Sequence, residues 1–227
     1  MIVIGTIVVL AIFVFVGWAV SAEMFQQRAW RRRAEEGDPD IIGALVNDSL
    51  VRWKRARPPK DAPANQWASI QQAEVVAVTG DGATLSTSLV LEYRTAEGRR
   101  VPTSPPLQEA IAVGARLLDM VLFDVPNLRL GTVRVDVYAD FAAEGGGTAQ
   151  LPVLSSTASR AIADSIFAEE LTAAEVLRRF DTLYHPTEGF EIKPIELPPV
   201  EGVSPRPAEE AAKLAPWAES QEDEPDG

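Results

Sequence analysis

The stretch LRLGTVRVDVYADF, residues 128–141, alternates apolar and polar side chains with a period of two. Val133, Val135, Val137, Ala139 and Phe141 point one way, and Arg134, Asp136, Tyr138 and Asp140 point the other. This is the pattern of a strand buried on one face. Asp136 and Asp140 share the polar side, about 13 Å apart at about 3.3 Å per residue. That is too far for a shared metal ion or for either glycosidase carboxylate pair. The polar side is therefore expected to be a solvated surface. A hydrolase site that joins Asp136 or Asp140 to an acid elsewhere in the chain is the enzymatic alternative.

Working outward, TSPPLQEAIAVGARLLDMVLFD (residues 103–124) predicts a helix with Ser104 as cap candidate and Pro105 just inside. Leu107, Ile111, Gly114, Leu118 and Leu122 form its buried line, and a glycine there implies close packing on the sheet. Before it, AEVVAVTGDGATLSTSLVLEYRTAEGRRVP (residues 73–102) predicts a hairpin or three-stranded meander with turns at TGDG and AEG. After the central strand, a glycine-rich loop leads into QLPVLSS (residues 150–156), where Pro152 suggests an edge strand. STASRAIADSIF and LTAAEVLRRF predict two short helices, the second opened by a Thr172–Glu175 capping box. The expected order is ββ(β)-α-ββ-α-α, an α+β layer with a mostly antiparallel sheet and helices on one face.

Ser156, Thr157 and Arg160 make a candidate anion site. Hydroxyls and backbone N–H groups at a helix N-terminus, with a cation in the first turn, suit an anion; the same residues also suit an ordinary helix cap. His185, before Pro186, reads as a solvated loop residue at the domain's exit. No nucleotide-binding, nucleophile-elbow or zinc-helix motif occurs in the sequence.

Farther out, residues 2–22, IVIGTIVVLAIFVFVGWAVSA, carry no charge. As a helix they span about 31 Å, matching a hydrocarbon core of about 30 Å. Arg28, Arg31, Arg32 and Arg33 follow, and the positive-inside rule places them in the cytoplasm with the N-terminus outside. Trp18 and Trp30 suit the headgroup zone, and the arginines suit anionic lipid. Residues 1–22 are thus expected to be a single-pass cell-membrane anchor. The alternative is a signal peptide cleaved after Ala22, which would leave a secreted domain. Against it stand the missing basic n-region and the length of the apolar run.

Residues 23–66 read as a basic juxtamembrane helix and linker, with Asp38 as N-cap, Pro39 at the first position, and Ile42, Leu45, Val46, Leu50 and Trp53 on one stripe that packs on the globular domain or lies along the membrane surface. The globular domain is expected at 67–185. From Pro186 onward, eight of the chain's 17 prolines and a balance of eleven acids to three bases predict a disordered tail, residues 186–227. Leu214 and Trp217 in it are candidate partner-docking residues. The alternative is that they are stray apolar residues, or that tail residues fold back on the domain, as FEIKPIEL (residues 190–197) could do as well.

The chain has 227 residues, a net charge of −12, one His and no Cys. The charge disfavours nucleic acid as a partner. The composition excludes thiolate chemistry and multi-His metal sites within one chain. No cofactor is expected. The expected function is a membrane-anchored binding or scaffold domain whose partners are the lipid bilayer and an unidentified protein.

Overall fold

The computed structural model describes residues 32–205, apart from positions 61, 97, 144, 167, 168 and 190. The expected anchor with Trp18, the residues Arg28, Trp30 and Arg31, and the tail residues Leu214 and Trp217 lie outside the described residues. Among the described residues no helix is long and apolar enough to cross a membrane.

The chain enters through α1, Pro39–Arg55. Asp38 caps it: Oδ1 accepts from the Asp40 and Ile41 amides, while Oδ2 takes the Arg33 guanidinium at 2.6 Å. Pro39 occupies the first helical turn, and Arg52, Lys54 and Arg55 crowd the last, where cations suit the helix dipole. The apolar stripe is buried in the domain: Ile42, Val46 and Leu50 join the same core as Val133 and Leu118. The core therefore extends well before residue 67, and the helix read as juxtamembrane is part of it. A short α2, Ala64–Ile70, adds Trp67, whose indole N–H donates to the Ala56 carbonyl.

β1 (Glu74–Val78) and β2 (Gly82–Ser88) form the expected hairpin. The Leu89 amide still bonds the Tyr138 carbonyl of the neighbouring strand, and the chain then leaves the sheet as the Val90 amide turns to Ser69 Oγ. β3 (Tyr93–Ala96) and β4 (Arg99–Pro102) consequently form a separate two-stranded ribbon rather than completing a meander. α3, Pro106–Phe123, carries the chain back. Its N-cap is Pro105 and no side chain caps it, so Ser104 does not take the expected role.

β5 (Thr132–Ala142) pairs in parallel with β2 and antiparallel with β6 (Thr148–Ser159). After α4 (Arg160–Ile166) and α5 (Ala173–Leu177), β7 (Asp181–Tyr184) pairs antiparallel with β6. The main sheet runs β1-β2-β5-β6-β7 and is mixed. One parallel pair replaces the expected antiparallel order, because a helical crossover delivers β5 in the direction of β2. β6 is an interior strand. Pro152 is tolerated there because it sits at a bulge opposite Tyr138, beyond the end of β7, where no ladder N–H is needed.

Register sorts the two faces. Val78, Ala83, Val133 and Ala158 form one row across the sheet, and Leu85, Val135 and Ser156 the next. Helices cover this side. Gly114 of α3 lies so close that an added Cβ would meet Leu154 at 3.0 Å and Val137 at 3.8 Å. Gly43 of α1 lies against Val78. α5 opens with the expected capping box, Thr172 Oγ1 accepting from the Glu175 amide and the Glu175 carboxylate from the Thr172 amide.

Candidate functional site

The opposite face of the sheet carries Thr84 and Ser86 of β2, Thr132, Arg134, Asp136 and Tyr138 of β5, and Ser155 and Thr157 of β6. Alternation placed these side chains there, as expected, but their surroundings differ from the expectation of a solvated surface. Arg134 is 8 % exposed and Asp136 2 %. What covers them is the chain itself. After β7, residues 191–205 run without helix or strand across this face and form a strap.

The strap is seated at three places. The Ile195 amide donates to the Pro152 carbonyl of β6 at 2.9 Å. Arg134 Nη1 of β5 donates to the carbonyls of Pro198 and Pro199 at 3.0 and 3.1 Å. Val203 and Val78 of β1 exchange both backbone hydrogen bonds at 2.9 Å, an isolated antiparallel bridge on the sheet's edge. Gly202 makes the last junction possible: its φ is +109°, and a Cβ there would collide with the Val78 carbonyl. Beyond it Pro205 reaches Gly43 of α1.

Arg134 is the centre of the arrangement. Its Nε donates to Asp136 Oδ1 at 2.9 Å, a pair that spans two residues of one strand face. Nη1 serves the strap. Nη2 is buried with no hydrogen-bond partner among the described residues. A buried donor without an acceptor costs about 1–3 kcal/mol, so this guanidinium has capacity for one more acceptor. It lines a cavity of about 300 Å³ under the strap, together with Thr84, Thr132, Thr157, Pro199 and Glu201. Next along β5, Tyr138 has its hydroxyl pKa raised, first by burial and then by the Asp136 charge, with Arg134 opposing. A phenol held above its ordinary value stays neutral near pH 7. Chemically, the face is built to hold an extended main chain. Asp136 is committed to Arg134 and shielded from any substrate.

The sequence-predicted residues are distributed as follows. Ser156 and Thr157 are strand residues of β6, with α4 starting only at Arg160. Ser156 Oγ bonds the Thr182 hydroxyl on the helix side, whereas Thr157 faces the strap cavity. Arg160 turns away from both. Its Nε donates to the Leu130 carbonyl at 2.9 Å, Nη2 donates to the Leu122 carbonyl, and the guanidinium lies over the Phe123 ring. It closes the C-terminal end of α3, a position that suits a cation. The structure thus does not assemble these three side chains around one point. Asp140 is exposed and lines a separate groove of about 610 Å³ with Tyr93, Phe141, Gln150, Glu191 and Ile192. Arg32 and Arg33 are exposed at the chain's entry, Arg33 paired with Asp38. His185 is exposed just past β7.

Sequence reasoning allowed residues 190–197 to fold back on the domain but missed that the strap continues through residue 205 and covers the polar sheet face. Its signal was present in Ile192, Ile195 and Leu197, each half-buried against the domain, within a segment otherwise rich in proline and acids. No protein-family model, no curated protein and no solved structure matches the chain.

Proposed function

We propose that this chain is a single-pass membrane-anchored protein whose α+β domain is a cytoplasmic binding or scaffold module that recruits protein partners to the membrane surface. Two sequence features support the anchoring half: the uncharged run 2–22 and the arginines that follow it. The observation that carries the binding half is the strapped face. An extended segment runs from β6 over β5 to the edge of β1, held through its main chain by a buried arginine and a strand edge. Tethering would raise the local concentration of whatever binds there without any new contact. Trp18, Trp30 and the arginines 28 and 31–33 serve the membrane interface in this reading, and Leu214 and Trp217 of the tail add a second docking element.

The test is affinity capture from native membranes in detergent, comparing the full chain with one lacking residues 186–227. Partners held only by the full chain support the reading; identical partner lists overturn it. The hydrolase alternative moves to the 610 Å³ groove, where Asp140 and Glu191 share a lining. Hydrolysis that survives Asp140→Asn would exclude that site.

A further inference from the structure

We propose that the polar sheet face is a receptor for an extended, proline-containing peptide of a partner protein, and that the chain's own residues 195–203 are an exchangeable occupant of it. This rests on reading the domain as a binding module and names the partner's chemistry.

Four observations converge. First, the hydrogen bonds that join strap to sheet use main-chain atoms of the strap: the Ile195 amide, the Pro198 and Pro199 carbonyls, and both polar groups of Val203. Such contacts do not read side chains. Another segment with two adjacent prolines offers the same carbonyls in the same preset extended form. Second, Arg134 Nη2 is buried and unsatisfied with the strap in place. An occupant that supplies a third acceptor is held better than the strap is. Third, the second half of the strap adds little side-chain adhesion, because Val200 is 43 % and Val203 53 % exposed, and only Ile195 and Leu197 at its start are half-buried.

Fourth, charge selects the ligand. Arg134 is already neutralised by Asp136, and Asp81 lines the same cavity. Glu201 leaves with the strap. The bare face is therefore mildly acidic and fits a peptide that presents neutral carbonyl acceptors to Arg134 and is neutral or basic overall. An acidic ligand is held less well than a neutral or basic one.

The probe is a synthetic peptide of residues 195–204, IELPPVEGVS with blocked ends and Glu196 and Glu201 changed to glutamine, titrated into the full-length chain in detergent micelles. Gly202→Ala is the variant that unseats the strap, since its Cβ collides with the Val78 carbonyl while the face itself is untouched. The expected result is fast amide exchange at Ile195 and Val203 in Gly202→Ala, with unchanged protection in β5 and β6. Peptide binding should then be at least tenfold tighter than to the unaltered chain. Adding Arg134→Lys, which keeps the charge beside Asp136 but loses the fork of donors, should abolish the gain.

A strap that stays protected in Gly202→Ala, or a freed strap with no gain in peptide binding, overturns the proposal. A dimer with exchanged straps would make the occupant a second copy and overturn the assigned partner. Failure here with membrane capture still dependent on residues 186–227 rejects only the face as receptor; the module reading then rests on the tail.

Discussion

Removing the carboxylate of Asp136 separates the strapped face from a solvated one most sharply. Asp136 is 2 % exposed and accepts from Arg134 Nε at 2.9 Å. In Asp136→Ala the guanidinium remains buried, keeps only the Pro198 and Pro199 carbonyls, and has two nitrogens, Nε and Nη2, without acceptors instead of one. Breaking a buried pair by deleting one partner costs about 3–5 kcal/mol. For a fold of this size about 1 kcal/mol moves Tm by roughly 2–4 °C, so a loss of about 6–20 °C is expected by differential scanning calorimetry. An exposed pair is worth about 0–1 kcal/mol, which would move Tm by less than about 4 °C. A loss within that smaller range would mean that solvent reaches Asp136 and that the strap does not seal the face. The paired change Arg134→Met with Asp136→Leu is the control. Replacing both partners of a buried pair with apolar groups is often neutral or stabilising, so Tm should recover. Exchange at the Ile195 amide should nevertheless speed up, since the strap has lost its central donor.

Gly114→Val places branched carbon where even a Cβ meets Leu154 at 3.0 Å; it should destabilise by about 1–3 kcal/mol in urea unfolding, and a neutral result would mean α3 stands off the sheet. Asp119 has a raised pKa, mainly from burial and then from the Asp124 charge, with Arg116 opposing. Its protonated form therefore favours folding below the ordinary value of 3.8, and that contribution is lost as pH rises through the higher folded value. Asp119→Asn should accordingly raise Tm at pH 7 and change it little near pH 3, and equal shifts at both would contradict the burial argument. Trp217→Ala should remove tail-dependent partners from a pull-down, and an unchanged partner list would reject tail docking.

The local patterns were legible wherever a single element determines them. The alternation of residues 133–141 identified β5 and its two faces, the Asp38–Pro39 pair located the start of α1, and the Thr172–Glu175 box located α5. Gly114 in an apolar line announced tight packing, and the structure shows it. What alternation does not specify is what lies on the polar side. A row of Arg134, Asp136 and Tyr138 looks the same whether water or a strap covers it, because the strap comes from more than 50 residues away in sequence.

The pairing of β2 with β5 was illegible for a related reason: parallel neighbours are set by a crossover, and no local pattern marks it. Pro198 and Pro199 pulled the strap toward a reading of disorder, although the same prolines supply the carbonyls that Arg134 holds. At Ser156 and Thr157 the serine–threonine cluster mimicked a helix cap, yet strand pairing with β5 and β7 claimed those residues first.

The seat of the strap can be measured directly, because the chain has no native cysteine. Val200→Cys places a lone thiol at a position 43 % exposed in the strap, and a nitroxide attached there broadens nearby amide resonances. Strong broadening at Thr84 and at Arg134 through Asp136, with α3 spared behind the sheet, is the predicted pattern. Sharp β5 resonances alongside a folded spectrum would show that residues 195–203 do not lie on this face.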